Sequence, residues 1–577
     1  MSRRPTARRS ADPRSRVFAL GMVLAIVLSV FAARLLQLQG IEATAYADTA
    51  VAERVRTAVI PATRGALTDV NGATLATTMD AVNVTVDQNQ VSDPVSVAAT
   101  LAPLVGVPVR RLVNRLSGDQ VYNVVARDVT PETWRRVSEL RLSGIYSEPS
   151  SVRAYPQGSL AASILGFVGS DGHGLGGYES ALDDVLAGKD GEITYESDAG
   201  GRRIPTGDTQ EQQPVPGMDV RLTIDRDIQF VAERAIGAKV RETGAESGTV
   251  VVMDPRTGQV IASATYPSFD PSHPTAAPDA DRGNRAVSDI YEPGSTSKVM
   301  TVAAALDAGV ITPTTHIKVP PVIYRDGTDF HDHTPHGTLR LTATGVLAQS
   351  SNIGAMLIAE KLGERRLYDS LRKFGMGQPS GLGFPGESAG ILSDVGTWRP
   401  TNFATIAFGQ GFSVNAIQAT SVFATIANGG VRVEPTLVDA YVAPDGTQTP
   451  APAPETHRVI TAKTAKTVSR MMETVVSDEG TAPMAQIPGY RVAGKTGTAE
   501  RVDDACGCYR GYTASFIGFA PADDPALVVS VTLQDPVNGR YGGLLGGPVF
   551  KNVMTFALQT LEIPPTGRHA PKIRLTY

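Results

Sequence analysis

An uncharged, predominantly apolar run extends from Val17 to Ala33 (VFALGMVLAIVLSVFAA), followed by Arg34 and the apolar-leaning LLQLQ of Leu35 to Gln39. A helix crosses a bilayer core with about 20 apolar residues, and an arginine at the end of a short run extends it by snorkelling. No other stretch of the chain is that long and that apolar. The residues before it carry Arg3, Arg4, Arg8, Arg9, Arg14 and Arg16 against Asp12 alone. The positive-inside rule therefore places residues 1–16 in the cytoplasm as a short tail and the bulk of the chain outside. The length of the run, with Arg34 and the Leu-rich continuation, argues against a cleaved signal peptide. Residues 17–38 are read as an uncleaved signal anchor in the cytoplasmic membrane, with the lipid bilayer as its partner.

Residues 39–215 mix short strand-like runs with turn signals, among them Asn71-Gly72, Tyr155-Pro156 and Gly172-His173-Gly174-Leu175-Gly176-Gly177. Nothing there groups a nucleophile with a base, so the segment reads as a non-catalytic pedestal. From residue 216 to 577 the pattern firms up. Val220 to Ile224 alternates as a strand, Asp225 is an N-cap, and Arg226 to Val240 is an amphipathic helix. Gly248 to Met253, the turn Asp254-Pro255-Arg256-Thr257-Gly258 and Gln259 to Thr265 read as a hairpin. After a helical middle, Val492 to Thr498, Thr513 to Phe519 and Leu527 to Thr532 read as strands, and Phe550 to Leu561 as a closing helix. Thr449-Pro450-Ala451-Pro452-Ala453-Pro454 reads as an exposed loop. The order implies a mixed α and β domain, with a sheet covered by helices on both faces.

The 577 residues allow about two to four domains. The net charge of −5 hides a basic N-terminus on an otherwise acidic chain, which excludes a nucleic-acid binder of the usual basic-face kind. No phosphate-binding glycine loop is present, so no nucleotide cofactor is implied. Cys506 and Cys508 are the only cysteines. They exclude a disulfide framework, and a C-x-C bridge closes a tight ring, so a bridge and a pair of thiols both stay open. His331-Asp332-His333 with His336 has metal-ligand spacing. Its polar, Gly/Pro-punctuated setting instead favours a solvated loop near the cleft, and no metal site is assigned.

Three short motifs carry the chemistry. Ser295-Thr296-Ser297-Lys298 follows Pro293-Gly294 and opens a helical run to Leu306, which puts Lys298 one turn from Ser295. A serine hydroxyl needs a base, and a lysine made neutral by burial can serve. Ser350-Ser351-Asn352 follows an amphipathic run. Lys495-Thr496-Gly497-Thr498 lies on a strand, where Gly497 lets a substrate backbone lie close and Lys495, Thr496 and Thr498 suit a carboxylate. Each motif alone arises by chance. Their order and gaps of roughly 55 and 145 residues match a trio of serine acyl-enzymes.

On these residues the chain resembles class B penicillin-binding proteins, most closely the division-specific FtsI type. The resemblance runs from about residue 16 onward. In the pedestal it includes Arg64-Gly65 with Asp69 and Asn71-Gly72, Arg153-Ala154-Tyr155-Pro156, Gly166-Phe167-Val168-Gly169 and Gly176-Gly177-Tyr178-Glu179. In the catalytic part it includes Leu222-Thr223-Ile224-Asp225, Phe408-Gly409-Gln410-Gly411 and Ala427-Asn428-Gly429-Gly430. Val70 departs from an expected arginine, which puts a salt bridge there in doubt. The cysteine loop is not general in the family and is expected to border the acceptor cleft.

The resemblance implies a membrane anchor, an elongated pedestal of the dimerisation type, and a transpeptidase domain of the serine β-lactamase-like fold with a mainly antiparallel sheet. It implies a D,D-transpeptidase acting on peptidoglycan stem peptides at the septum, inhibited by β-lactams and needing no cofactor. Its implied partners are a SEDS-type membrane glycosyltransferase and other division proteins. The implied roles are Ser295 as nucleophile, Lys298 as base, Ser350 as proton relay and Asn352 on the substrate amide. The backbone N–H groups of Ser295 and Thr498 form the oxyanion hole, and Lys495, Thr496, Gly497 and Thr498 bind substrate. An elongation-specific transpeptidase is the alternative role; a β-lactam sensor or non-catalytic scaffold is the alternative of a different class. A serine β-lactamase is disfavoured by the lack of a Glu-x-x-Leu-Asn-like motif between Asn352 and Lys495.

Overall fold

Period-two alternation in the last third of the chain builds a five-stranded antiparallel sheet. Its order is Val260–Tyr266, Ser247–Met253, Leu527–Gln534, Cys508–Ala520 and Ala493–Asp503. The computed structural model describes residues 13–41, 54–197, 204–503 and 506–577. The strands Leu527–Gln534 and Ser247–Met253 are buried along their whole length, because helices cover both faces. Directly paired residues share a face: Thr496, Phe516, Val531 and Val250 on one, Lys495, Ile517, Ser530 and Val251 on the other.

The C-terminal helix Gly542–Thr560 packs on the Phe516 face beside Arg226–Thr243, with Phe516 edge-on to Phe550 at 4.8 Å. The helix Ala416–Ala427 packs on the opposite face, where Thr420 Oγ1 bonds Ser530 Oγ at 2.7 Å. The helices Lys298–Asp307, Asn352–Leu362 and Ala462–Val476 extend that second layer, so Lys495 points into it.

The expected hairpin, the Asp225 cap and the helix from Arg226 are all present; the Asp225 carboxylate accepts from Asp227 N and Ile228 N. The last helix differs, beginning at Gly542 rather than Phe550. The run GGLLGGP reads as a loop by propensity. Its glycines instead admit close packing: a Cβ on Gly542 would lie 2.0 Å from Ser515 O. The strands Ala493–Asp503 and Cys508–Ala520 also run further than the alternation predicted, as a long hairpin. Within the Pro/Ala-rich stretch, Gln448–Pro450 forms a short exposed strand beside Val438–Val442, and the residues after it are irregular.

The strand Asp219–Leu222 pairs with Val438–Val442 and with Leu67–Thr68, so one sheet joins residues on both sides of position 215. Thr74–Val86 continues that sheet to Asn123–Val129 and Ile145–Ala154, over a separate small core that includes Val84, Leu101, Leu112 and Val125. Glu179 is fully buried between Arg64 and Arg153, at 2.7 Å from each. Arg64 also pairs with Asp183 at 2.6 Å. Val70 contributes only its backbone, donating to Ile224 O, so charge pairing in this region rests on the Arg64 and Arg153 cluster.

Replacing Glu179 by alanine leaves buried Arg153 without a carboxylate and Arg64 with Asp183 alone. The expected destabilisation is about 3–5 kcal/mol, read as a lowered melting temperature; an unchanged melting curve would contradict this account of the cluster.

A second compact unit comprises residues up to 62 and 189–215. It contains the apolar helix Pro13–Leu36, continued by a π-helical turn Gln37–Ile41. It also holds a three-stranded antiparallel sheet in the order Val55–Ile60, Gly191–Glu196, Thr209–Gln212. The stretch Pro13–Ile41 is long and apolar enough to cross a membrane.

Candidate active site

Pro293 and Gly294 start the turn that carries Ser295. Gly294–Ser297 is a 3-10 turn and Lys298–Asp307 the α-helix that follows, where the sequence suggests one helix from Ser295. The tighter winding has a local cause, since Thr296 Oγ1 donates to Pro293 O at 2.7 Å. Residues three apart eclipse in a 3-10 turn, which stacks Lys298 directly on Ser295. Nζ of Lys298 lies 2.9 Å from Ser295 Oγ.

Lys298 is fully buried, and its amine meets three more oxygens: Ser350 O at 2.6 Å, Asn352 Oδ1 at 2.7 Å and Ser350 Oγ at 3.3 Å. Burial pulls its pKa down to about 7, opposed by the Asp332 carboxylate. A neutral amine has two hydrogens and one lone pair. The two nearest acceptors, a carbonyl and an amide oxygen, can only accept. They take both hydrogens and leave the lone pair for the Ser295 hydroxyl.

Ser350 sits in the left-handed region at φ +59°, a strained conformation for a residue with a side chain. That backbone lets its carbonyl meet Lys298 while its Oγ accepts from Lys495 Nζ at 2.9 Å. Lys495 is also fully buried, and burial, with repulsion from Lys298, holds it well below the usual ammonium range. Its Nζ also reaches Thr496 O and Oγ1 at 3.1 and 3.2 Å.

All the residues expected from the three motifs thus come together. A cleft of about 660 Å³ is lined by Ser295, Ser350, Asn352, Thr496 and Thr498. Thr498 Oγ1 accepts from Gly542 N at 3.3 Å, and Thr496 Oγ1 lies 3.0 Å from Thr481 Oγ1. Ala493–Asp503 is an edge strand whose open side lies against the Ser295 turn.

A Cβ on Gly497 would point into the protein, 2.2 Å from Ser515 Oγ and 3.1 Å from both Pro293 O and Thr296 Cγ2. The glycine admits the Ser295 turn against the sheet. Gly497→Ala is therefore expected to cost about 1–3 kcal/mol of stability, read as a lowered melting temperature. A wild-type melting curve would contradict this.

The His331–His336 loop also departs from its reading. It lines the cleft, but Asp332 and His336 turn inward instead of into solvent, and the Asp332 and His336 side chains are 8% and 14% exposed. Among the described residues no group of three or more His, Cys, Asp or Glu side chains is placed to hold a metal. Cys506 and Cys508 form a disulfide near the tip of the long hairpin. Neither is among the residues that line the 660 Å³ cleft. The neighbouring Tyr509 instead donates to Glu292 Oε1 at 3.0 Å, tying the hairpin to the segment before Ser295. Thr481, Tyr541 and Leu544 line the cleft without any signal in spacing or composition that could have marked them.

Two family models match: the penicillin binding protein transpeptidase domain over residues 248–555 and the penicillin-binding protein dimerisation domain over residues 59–222. Penicillin-binding protein PbpB of Mycobacterium tuberculosis is 35% identical over 584 residues, covering 96% of this chain and 86% of the relative. Peptidoglycan D,D-transpeptidase FtsI of Escherichia coli is 32% identical over 520 residues, covering 89% and 86%. Among solved structures, penicillin binding protein 3 from Mycobacterium tuberculosis complexed with aztreonam superposes with a TM-score of 0.71 at 34% identity. That match covers 90% of this chain and 100% of the other.

Proposed function

The chain belongs to the FtsI-type class B penicillin-binding proteins, and we propose that Ser295 is the nucleophile with which it cross-links peptidoglycan stem peptides at the septum. The observation that carries this reading is the buried Lys298 amine, 2.9 Å from Ser295 Oγ and 2.6 and 2.7 Å from Ser350 O and Asn352 Oδ1, two oxygens that can only accept.

Ser295 Oγ attacks the carbonyl carbon of the D-Ala–D-Ala amide and its proton passes to Lys298. The backbone N–H groups of Ser295 and Thr498 hold the oxyanion, and donors fixed in advance for that charge are usually the largest rate term. The C–N bond breaks, and the departing D-alanine amine receives a proton through Ser350, which lies between Lys298 and Lys495. Asn352 orients the substrate amide. Thr496 and Thr498 present hydroxyls to the terminal carboxylate, with the Lys495 amine bonded to Thr496 behind them and Gly497 keeping the strand close to the nucleophile. An amine from a neighbouring stem peptide then attacks the ester and restores the Ser295 hydroxyl. A β-lactam acylates the same oxygen and is not released by this route.

Residues 1–16 form a cytoplasmic tail and 17–38 the anchor. Residues 39–215 are the pedestal and 216–577 the transpeptidase domain, outside the membrane. With no glycan-polymerising segment recognisable in its sequence, the chain depends on a SEDS-type glycosyltransferase and other division proteins. The full-length protein, given a stem-peptide donor ending in D-Ala–D-Ala and an acceptor amine, is expected to yield a cross-linked product and one free D-alanine per link. Hydrolysis without cross-linking would contradict the transpeptidase reading. Depletion is expected to give filaments, and spheres would contradict the septal role.

A further inference from the structure

Asp332 has no part in the steps above, yet it is bonded into the turn on which they depend. Its Oδ1 accepts from Ile353 N at 2.9 Å, and its Oδ2 accepts from Ser351 Oγ at 2.6 Å, with His336 Nε2 at 3.0 Å. Ser351 Oγ in turn accepts from Gly354 N at 2.8 Å, capping the helix Asn352–Leu362. From the same loop, His331 O accepts from Asn352 Nδ2 at 3.2 Å, which leaves Oδ1 of that amide to face Lys298. One short segment therefore fixes the backbone on both sides of Asn352 and the direction of its side chain. Ser350, immediately before, is held at a positive φ, and such a residue persists only where its surroundings over-determine it.

The charges around Lys298 give Asp332 a second role. Lys495 is the other buried amine, His333 stands at the cleft near Tyr541 and Arg540, and His336 is paired with Asp332 itself. Asp332 is the anion that acts on the Lys298 amine, opposing the effect of burial.

We propose that Asp332 is a positioning residue for transpeptidation, holding the turn that presents Ser350 and Asn352 to Lys298 and supplying, from behind that turn, a negative charge that acts on the amine. The inference rests on the assignment of Ser295 and Lys298 as nucleophile and base.

The test is the rate of acylation of the full chain by a fluorescent penicillin across pH, for wild type, Asp332→Asn, Asp332→Glu and Ser295→Ala. Asp332→Asn is expected to acylate about tenfold or more slowly, since misplacement by an ångström can cost a hundredfold. Its acid limb is expected at lower pH, because an amine without its anionic neighbour loses its proton more readily. A loss of packing alone would not move that limb. Asp332→Glu keeps the charge and lengthens the side chain, so it is expected to be slow with the limb in place. A wild-type rate in Asp332→Asn, or a limb that does not move, overturns the proposal. If Asp332→Asn does not fold, a wild-type rate in Asp332→Glu overturns it. Ser295→Ala separates the two readings. Labelling of that variant means the nucleophile is misassigned, whereas a silent Ser295→Ala beside a normal Asp332→Asn refutes the role of Asp332 alone.

Discussion

Ser295→Ala protein forms no covalent penicillin adduct, with acylation falling by about 10⁴-fold or more, as when the nucleophile of a serine hydrolase is removed. The fold is expected to survive. The hydroxyl supplies one of the oxygens around Lys298, and Ser350 O and Asn352 Oδ1 keep that amine bonded at 2.6 and 2.7 Å. A variant that melts as wild type does and gives an unmodified mass after incubation with penicillin satisfies the prediction. An adduct of the expected mass would place the chemistry on another residue.

The second large effect is at Lys298. Loss of a general base costs about 10²–10⁴-fold, so Lys298→Ala is expected to acylate slowly rather than not at all. Lys298→Arg should not rescue it, because a guanidinium stays protonated and cannot take the proton. The alanine variant also leaves Ser350 O and Asn352 Oδ1 without their donor, at about 1–3 kcal/mol for a buried group left unpaired. A lower melting temperature should therefore accompany the slow rate. Rapid acylation by the arginine variant would exclude Lys298 as the base.

The site was legible because its chemistry is concentrated in short local motifs. Ser295 and Lys298 meet through helical spacing alone. The meeting of Ser350 and Asn352 with Lys298 depends on two helices packing side by side, yet the residue types and their order were enough to identify them. Spacing could not reveal which way side chains point. A Cβ on Gly497 would face Ser515 and Pro293, and Lys495 faces Ser350, because alternation along an edge strand assigns faces only once the neighbouring layers are known.

Asp332 was hidden for a related reason. A polar run with glycine and proline resembles a solvated loop, and only its bonds to Ser351 and Ile353 show that it is part of the cleft wall. The helix start at Gly542 was missed because local propensity opposes it and tertiary packing overrides it. The cysteine pair could be resolved only by the hairpin that brings Cys506 and Cys508 into a bond.

We propose that burial makes Lys298 a neutral base aimed at Ser295. The pH dependence of acylation by a labelled penicillin tests it most directly. Below about pH 7 the amine carries a proton and has no lone pair, so the rate is expected to rise about tenfold per pH unit and to level off above that value. A rate that stays flat from well below to well above neutrality, with the protein folded throughout, would contradict the claim.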